Sequence, residues 1–228
     1  MEVIEIRLRK KRMILPLALL ALTSLTACKT ALDLTLFASD LVGVAQTGTP
    51  MDATATLSVE TGTKDKCDEL HDAVATALLK GFTSAEFVAC REDGMANLAD
   101  FRVAVPILGA KAALQSALQI AVIPVGGNFS AVLRQDGDRI DQIKAALPKD
   151  MQLYADQKLD PAISLTLQND LADTAKVTMQ GAFVDGAPYQ LSQQFDVKRR
   201  GEIRIVLSDV GNAALSDKGS LLLVMKAP

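Results

Sequence analysis

Apolar residues along this chain switch between two periods. Over residues 52–60 they alternate with Thr, Ser and acidic positions, the two-residue period of a half-buried strand. Residues 33–37 carry a shorter strand pattern, and an apolar stretch to Val44 follows, a short helical turn or part of a tether. From Cys67 the spacing becomes helical. Leu70, Ala73, Val74, Ala77, Leu78 and Phe82 share a face with the cysteine, Asp65 offers a cap and Gly81 a stop. Strands follow at 85–90 and 101–106, and Pro106 marks an end or an edge of the second. The stretch 108–117 is ambiguous and reads as a short helix. Residues 119–124 and 129–133 flank Gly126-Gly127, a hairpin signal. A second helix starts near Asp138, places Ile140, Ile143 and Leu147 on one face, and stops at Pro148. The remainder predicts a four-strand meander (162–168, 176–184, 189–197, 202–207), a short helix over 209–215 and a last strand over 220–225.

These elements predict an α+β protein: a mostly antiparallel or mixed β-sheet carrying two to four helices. The folded body is expected over residues 51–228. A division into two subdomains would fall near 108–118 or 156–161, neither of which has a linker's composition.

The first residues follow a different grammar. Arg7, Arg9, Lys10, Lys11 and Arg12 form a basic head, and the apolar run 13–22 is about half the ~20 residues a membrane-spanning helix needs. Small residues close the segment. This order is that of a secretory signal rather than a structural helix. Its last four residues, Leu25-Thr26-Ala27-Cys28, resemble the lipobox of bacterial lipoproteins. The resemblance implies that residues 1–27 are removed, that the Cys28 thiol carries a diacylglyceryl group, and that the new amino end is acylated, with palmitate as the expected kind of chain. Residues 28–50 would then be a lipidated N-terminus serving as tether or first strand. Lys29 is not the Asp that retains such proteins at the inner membrane, so outer-membrane attachment facing the periplasm is expected. Cleavage removes five basic and two acidic side chains, leaving 19 against 25, a formal charge of −6. Anionic head groups repel a body of that sign, so the acyl chains must supply the attachment.

Two cysteines remain, Cys67 and Cys90, and an even number in an exported chain points to a disulfide. A helix from Cys67 rises about 18 Å and the next strand runs back about 17 Å, which brings the thiols to the same end. Two inert buried thiols are the alternative. The spacing is nothing like the Cys-x-x-Cys of a redox pair.

Composition then removes function classes. Aromatics amount to 7 Phe, 2 Tyr and no Trp, against stacking platforms for bases or sugars, and the negative charge argues against nucleic acid as a partner. The single His71 excludes a His-rich metal site and reads as a surface helix residue between Asp68 and Asp72. Asp136, Asp138 and Asp141 lack the spacing of a calcium loop and read as a helix start. Lys198-Arg199-Arg200 reads as a solvated hairpin tip, and Asn128-Phe129-Ser130 as a glycosylation match without meaning in a bacterial lipoprotein. No metal, cofactor or catalytic residue is expected. The sequence therefore predicts a non-enzymatic binding or assembly module for another envelope protein or a small ligand. An envelope hydrolase with an unrecognised carboxylate site is the alternative, and a phage- or plasmid-type surface-exclusion lipoprotein a variant.

Overall fold

The structure, a computed structural model, describes residues 30–94, 96–155, 162–215 and 219–226. The leader, Cys28 and the predicted boundary at 156–161 lie outside them. The first strand, β1 (Thr30–Phe37), buries Thr30, Leu32, Leu34 and Leu36 and turns Asp33 and Phe37 to solvent. It runs straight into helix α1 (Ala38–Thr47), so this stretch is strand and helix rather than tether. Strand β2 (Met51–Glu60) pairs antiparallel with β1, and the long β4 (Ala96–Gly109) pairs with β2 over ten residues.

Helix α2 (Lys64–Leu78) and strand β3 (Ala85–Asp93) stand between β2 and β4 in the chain. Thr63, not Asp65, caps α2, because its hydroxyl sits where it accepts the Lys66 N–H. Cys67, Val74, Ala77 and Leu78 are buried on the inner face; Ala73 is exposed instead. Cys67 and Cys90 are bonded, with Cα atoms 6.1 Å apart, as the helix-on-strand geometry requires. Pro106 lies inside β4, not at its end. On the edge opposite β2, β3 stops pairing at Val103 and β5 (Leu118–Val125) begins at Ile107, so the missing N–H falls in a gap between partners. The expected helix over 108–117 is absent: Leu108 and Gly109 finish β4 and a turn leads to β5.

Strands β5 and β6 (Asn128–Gln135) form the predicted hairpin, with Gly126 and Gly127 both at positive φ as a tight turn there demands. Asp136 caps helix α3 (Gly137–Ala146) through the Arg139 N–H, and a further helix, α4 (Lys149–Ala155), follows Pro148. With α5 (Asp209–Ala214) the described residues hold five helices, one more than the upper expectation.

The predicted meander does not form. Strand β7 (Ala162–Gln168) pairs parallel with β1 and antiparallel with β12 (Glu202–Leu207). The segment expected as one strand breaks at Gln180-Gly181, where Gly181 takes positive φ, into β8 (Ala175–Met179) and β9 (Ala182–Val184). Likewise β10 (Ala187–Tyr189) and β11 (Gln193–Val197) replace a single strand. The last strand, β13 (Ser220–Lys226), lies between β6 and β8. The sheet order is β10-β9-β12-β7-β1-β2-β4-β5-β6-β13-β8-β11, with β3 also on β4.

That order places β8 and β9 near opposite ends of the path, yet only two residues separate them in the chain. Three Cα–Cα steps cover at most about 11 Å, so the sheet must roll until its ends meet. Tyr189 of β10 and Phe195 of β11 close the seam edge to face, with ring centres 5.1 Å apart. One hydrophobic core fills the roll and draws on strands from both sides of 108–118.

The registers define two rims. At one rim β1 begins, β2 ends, β12 ends and β13 begins, and the connections 180–181, 190–192 and α5 cross it. At the other rim β1 ends, and the turns 126–127, 169–174 and 198–201 cluster with α1. These are the near rim and the far rim, named from where Thr30 sits.

Candidate functional site

The far rim carries two open clefts. One lies between the end of α1 and the β4–β5 connection, is lined by Val44, Gly48, Pro50, Leu108, Lys111 and Val122 among others, and has a volume of about 430 Å³. The other, also about 430 Å³, is formed by residues 171–176 with Met225 and Lys226. Both fall within the few-hundred-Å³ range of small-ligand sites. A narrow apolar pocket between α2, α3 and the sheet measures about 60 Å³. That is under half the ~150 Å³ of a cavity that admits benzene, and we read it as a packing void. The hydroxyl of Thr30, which lines it, has no hydrogen-bond partner.

Asn169 organises the second cleft. Its side chain is buried, its Nδ2 donates to the carbonyls of Asp173 (2.8 Å) and Val197 (2.7 Å), and its Oδ1 accepts the Leu171 N–H. Its backbone bonds Gly201 and Arg200. One residue thus ties the cleft wall to the 198–201 turn. Arg200 takes φ +60°, an uncommon conformation for a non-glycine residue, and a Cβ on Gly201 would stand 2.9 Å from the Lys198 carbonyl oxygen. Lys198, Arg199 and Arg200 are all exposed, as expected, but their turn is no hairpin: β11 pairs with β8, and β12 with β7 and β9. The three cations stand out from a fixed turn without a carboxylate partner among the described residues.

Asp170 lies beside this turn and closes α1 from outside. The helix has no cap of its own, since Phe37 precedes it, and the Asp170 carboxylate accepts both the Ser39 N–H (2.9 Å) and the Ser39 hydroxyl. Asp40 pays for that neighbour: burial, and then the Asp170 charge, raise its pKa above the usual carboxylate value. A raised folded-state pKa means that ionised Asp40 opposes folding once the pH exceeds the unfolded value. Asp40→Asn is therefore expected to raise the thermal midpoint modestly at pH 7, with the gain vanishing below about pH 4, where both states are protonated. Unfolding scans at the two pH values check the sign.

Two Ser–Asp–Arg clusters bridge strands on the face of the sheet turned from the core, where Ser58 and Asp100 are nonetheless buried. Ser58 donates to Asp100 (2.6 Å), and Arg91 donates to both, at 2.6 Å to Asp100 and 3.1 Å to Ser58. Ser164 donates to Asp33, and Arg204 reaches both at 3.3–3.4 Å. In each, the serine proton points at a carboxylate held by a guanidinium, and no imidazole is present to take it. They join strands rather than activate a nucleophile.

His71 stacks on Phe87 with ring centres 4.2 Å apart, away from both clefts. It is less a surface residue than expected, since its Nδ1 is buried and makes no hydrogen bond although Asp72 Oδ1 is 3.0 Å away. No group of three or more His, Cys, Asp or Glu fit for a metal occurs among the described residues. None of their helices is long and apolar enough to cross a membrane. The clefts themselves were not legible as motifs. The only local signal was Asn169 at the end of a strand, a turn-forming residue in a Gln-Asn-Asp run.

A family model matches residues 30–228, which includes every described residue. The chain belongs to the DUF7424 family, a domain of unknown function. No curated protein and no solved structure matches it. In this DUF7424 domain the rolled sheet, the Cys67–Cys90 bridge and the far-rim clefts all lie inside the matched region.

Proposed function

We propose that the protein is a lipid-anchored bacterial envelope lipoprotein whose DUF7424 domain is a non-enzymatic binding or assembly module. The observation that carries this reading is the polarity of the roll. Cys28, the residue the lipobox marks for acylation, precedes by two positions the strand that opens the near rim, whereas both clefts and the exposed Lys198, Arg199 and Arg200 occupy the far rim. A module built this way holds its recognition surface away from the bilayer. The disulfide supports export to an oxidising compartment. The β1 strand is about 23 Å long at strand rise, so the basic turn reaches well beyond the head groups. A partner with an acidic surface fits it.

The test has two parts. Intact mass of membrane-extracted protein should show a chain beginning at Cys28 with acyl mass, and Cys28→Ser should release it from the membrane fraction. Reversing the turn (Lys198→Glu, Arg199→Glu, Arg200→Glu) should leave anchoring intact and abolish cross-links formed in whole cells by a photoreactive group at Ala172, an exposed residue of the cleft that Asn169 ties to the turn. An unprocessed chain, or cross-links indifferent to the reversal, would sink the reading.

A further inference from the structure

The two most exposed large apolar side chains among the described residues are Leu191, 81% exposed, and Val210, 79% exposed. The other exposed large hydrophobics lie between 37% and 53%. Single exposed apolar residues are ordinary on a soluble protein. These two share a rim. Leu191 stands in the 190–192 connection after Tyr189, and Tyr189 pairs with Ala182, which pairs with Leu207 at the end of β12. Val210 stands in the first turn of α5, three residues past Leu207. By register, the end of β12 lies level with the start of β7, and hence with the start of β1. Both side chains therefore crown the near rim, the one that Thr30 opens.

Chain length adds a second constraint. Cys28 is two residues from Thr30, and two residues span at most about 7 Å. Thr30 is buried and paired with Val59, so β1 cannot peel away to lengthen the link without losing its place in the centre of the sheet. An acyl group on Cys28 would hold the near rim against the head groups. A mature body of net charge −6 gains nothing there from anionic lipid, so apolar contact is the available attraction.

We propose that the near rim is a membrane-contact surface, with Leu191 and Val210 inserted into the interfacial region of the bilayer that carries the anchor. The proposal rests on the lipoprotein reading and adds an orientation to it: the roll stands on its near rim, and the strands run away from the bilayer. Lateral spacing favours a stable stance, because β10 is four strand positions from β1 and β12 two, or about 19 and 10 Å from the tether.

The chain has no Trp, so one introduced indole reports alone. Leu191→Trp, Val210→Trp and, on the far rim, Val125→Trp (Val125 is 53% exposed) would be made in the full chain, expressed with its leader and extracted from membranes. Each would be reconstituted into phosphatidylethanolamine–phosphatidylglycerol vesicles with and without brominated acyl chains. The expected result is a blue shift and loss of emission with brominated lipid for Leu191→Trp and Val210→Trp, and neither for Val125→Trp. Vesicle-bound protein showing no loss at either near-rim position would overturn the orientation and leave the anchor standing. Loss at Val125→Trp instead would overturn it by inverting the molecule. A protein of unmodified mass that fails to bind vesicles would overturn the anchor and the orientation together.

Discussion

Replacing Asn169 by alanine is expected to destabilise the domain by about 3 kcal/mol and to open the 198–201 turn to trypsin. The size follows from what the side chain leaves behind. Three hydrogen bonds disappear: the Val197 carbonyl loses its partner in a buried site, and the Asp173 carbonyl and the Leu171 N–H lose theirs at the part-buried wall of the cleft. Each buried group left unpaired costs roughly 1–3 kcal/mol, less where a small relaxation lets water in. Denaturant unfolding measures the loss. Proteolysis adds a readout specific to the turn, because Lys198, Arg199 and Arg200 are trypsin sites held in a fixed conformation by the Asn169 backbone and side chain. Equal cleavage rates in Asn169→Ala and the parent protein, under native conditions, would show that the turn is not held by this residue. Asn169→Asp is a sharper companion. It keeps the acceptor for the Leu171 N–H but turns the two donor bonds into carboxylate–carbonyl contacts, so it should be at least as harmful as alanine.

Removing the Cys67–Cys90 bridge is expected to cost a similar amount. The bond closes a loop of 23 residues in sequence separation, and the chain-entropy model gives about 3 kcal/mol for a loop of that length. For a domain of this size, that corresponds to a fall in thermal midpoint of roughly 6–12 °C. The Cys67→Ala, Cys90→Ala double variant should show it, and reductant should lower the parent's midpoint without moving the variant's. The bridge joins the first turn of α2 to β3, which among the described residues pairs only with β4. Loss should therefore loosen this helix–strand layer first, visible as faster amide exchange in β3 than in β1. An unchanged midpoint on full reduction would mean that the α2–β3 packing holds without the bond.

Local pattern revealed most of the strands and helices, and even the bridge, because each depends on near neighbours. The 52–60 alternation, the Cys67 helical face and the Gly126-Gly127 turn are short-range features, and the structure contains all three. What the pattern could not carry was partnership. The apparent strand 176–184 changes the phase of its buried positions at Gln180-Gly181, from Val177 and Met179 to Ala182 and Val184, but nothing in its side chains states that its halves pair with β13 and β12, far apart in the sheet. The helix expected at 108–117 failed because Leu108 takes its conformation from parallel pairing with Ala121 of β5. Pro106, expected at an end or an edge, marks an edge, one that exists within a strand where one neighbour stops before the next begins. The far-rim clefts were illegible because their walls come from segments distant in the chain, such as Gly48, Lys111 and Val122.

The parallel pairing of β1 with β7 has a consequence for how the chain becomes this domain. Asp33 and Ser164 meet across that pair although 131 residues separate them, and β12 must then cover the other side of β7. Strand β1 finds β2 nearby but therefore waits for its second partner, which is synthesised far later. Such non-local contacts are slow to form, because the entropy of closing a long loop comes before the reward of pairing. For the export proposed above the delay is useful: β1 lacks its second neighbour until the C-terminal half of the chain has passed, so the central sheet closes only after translocation.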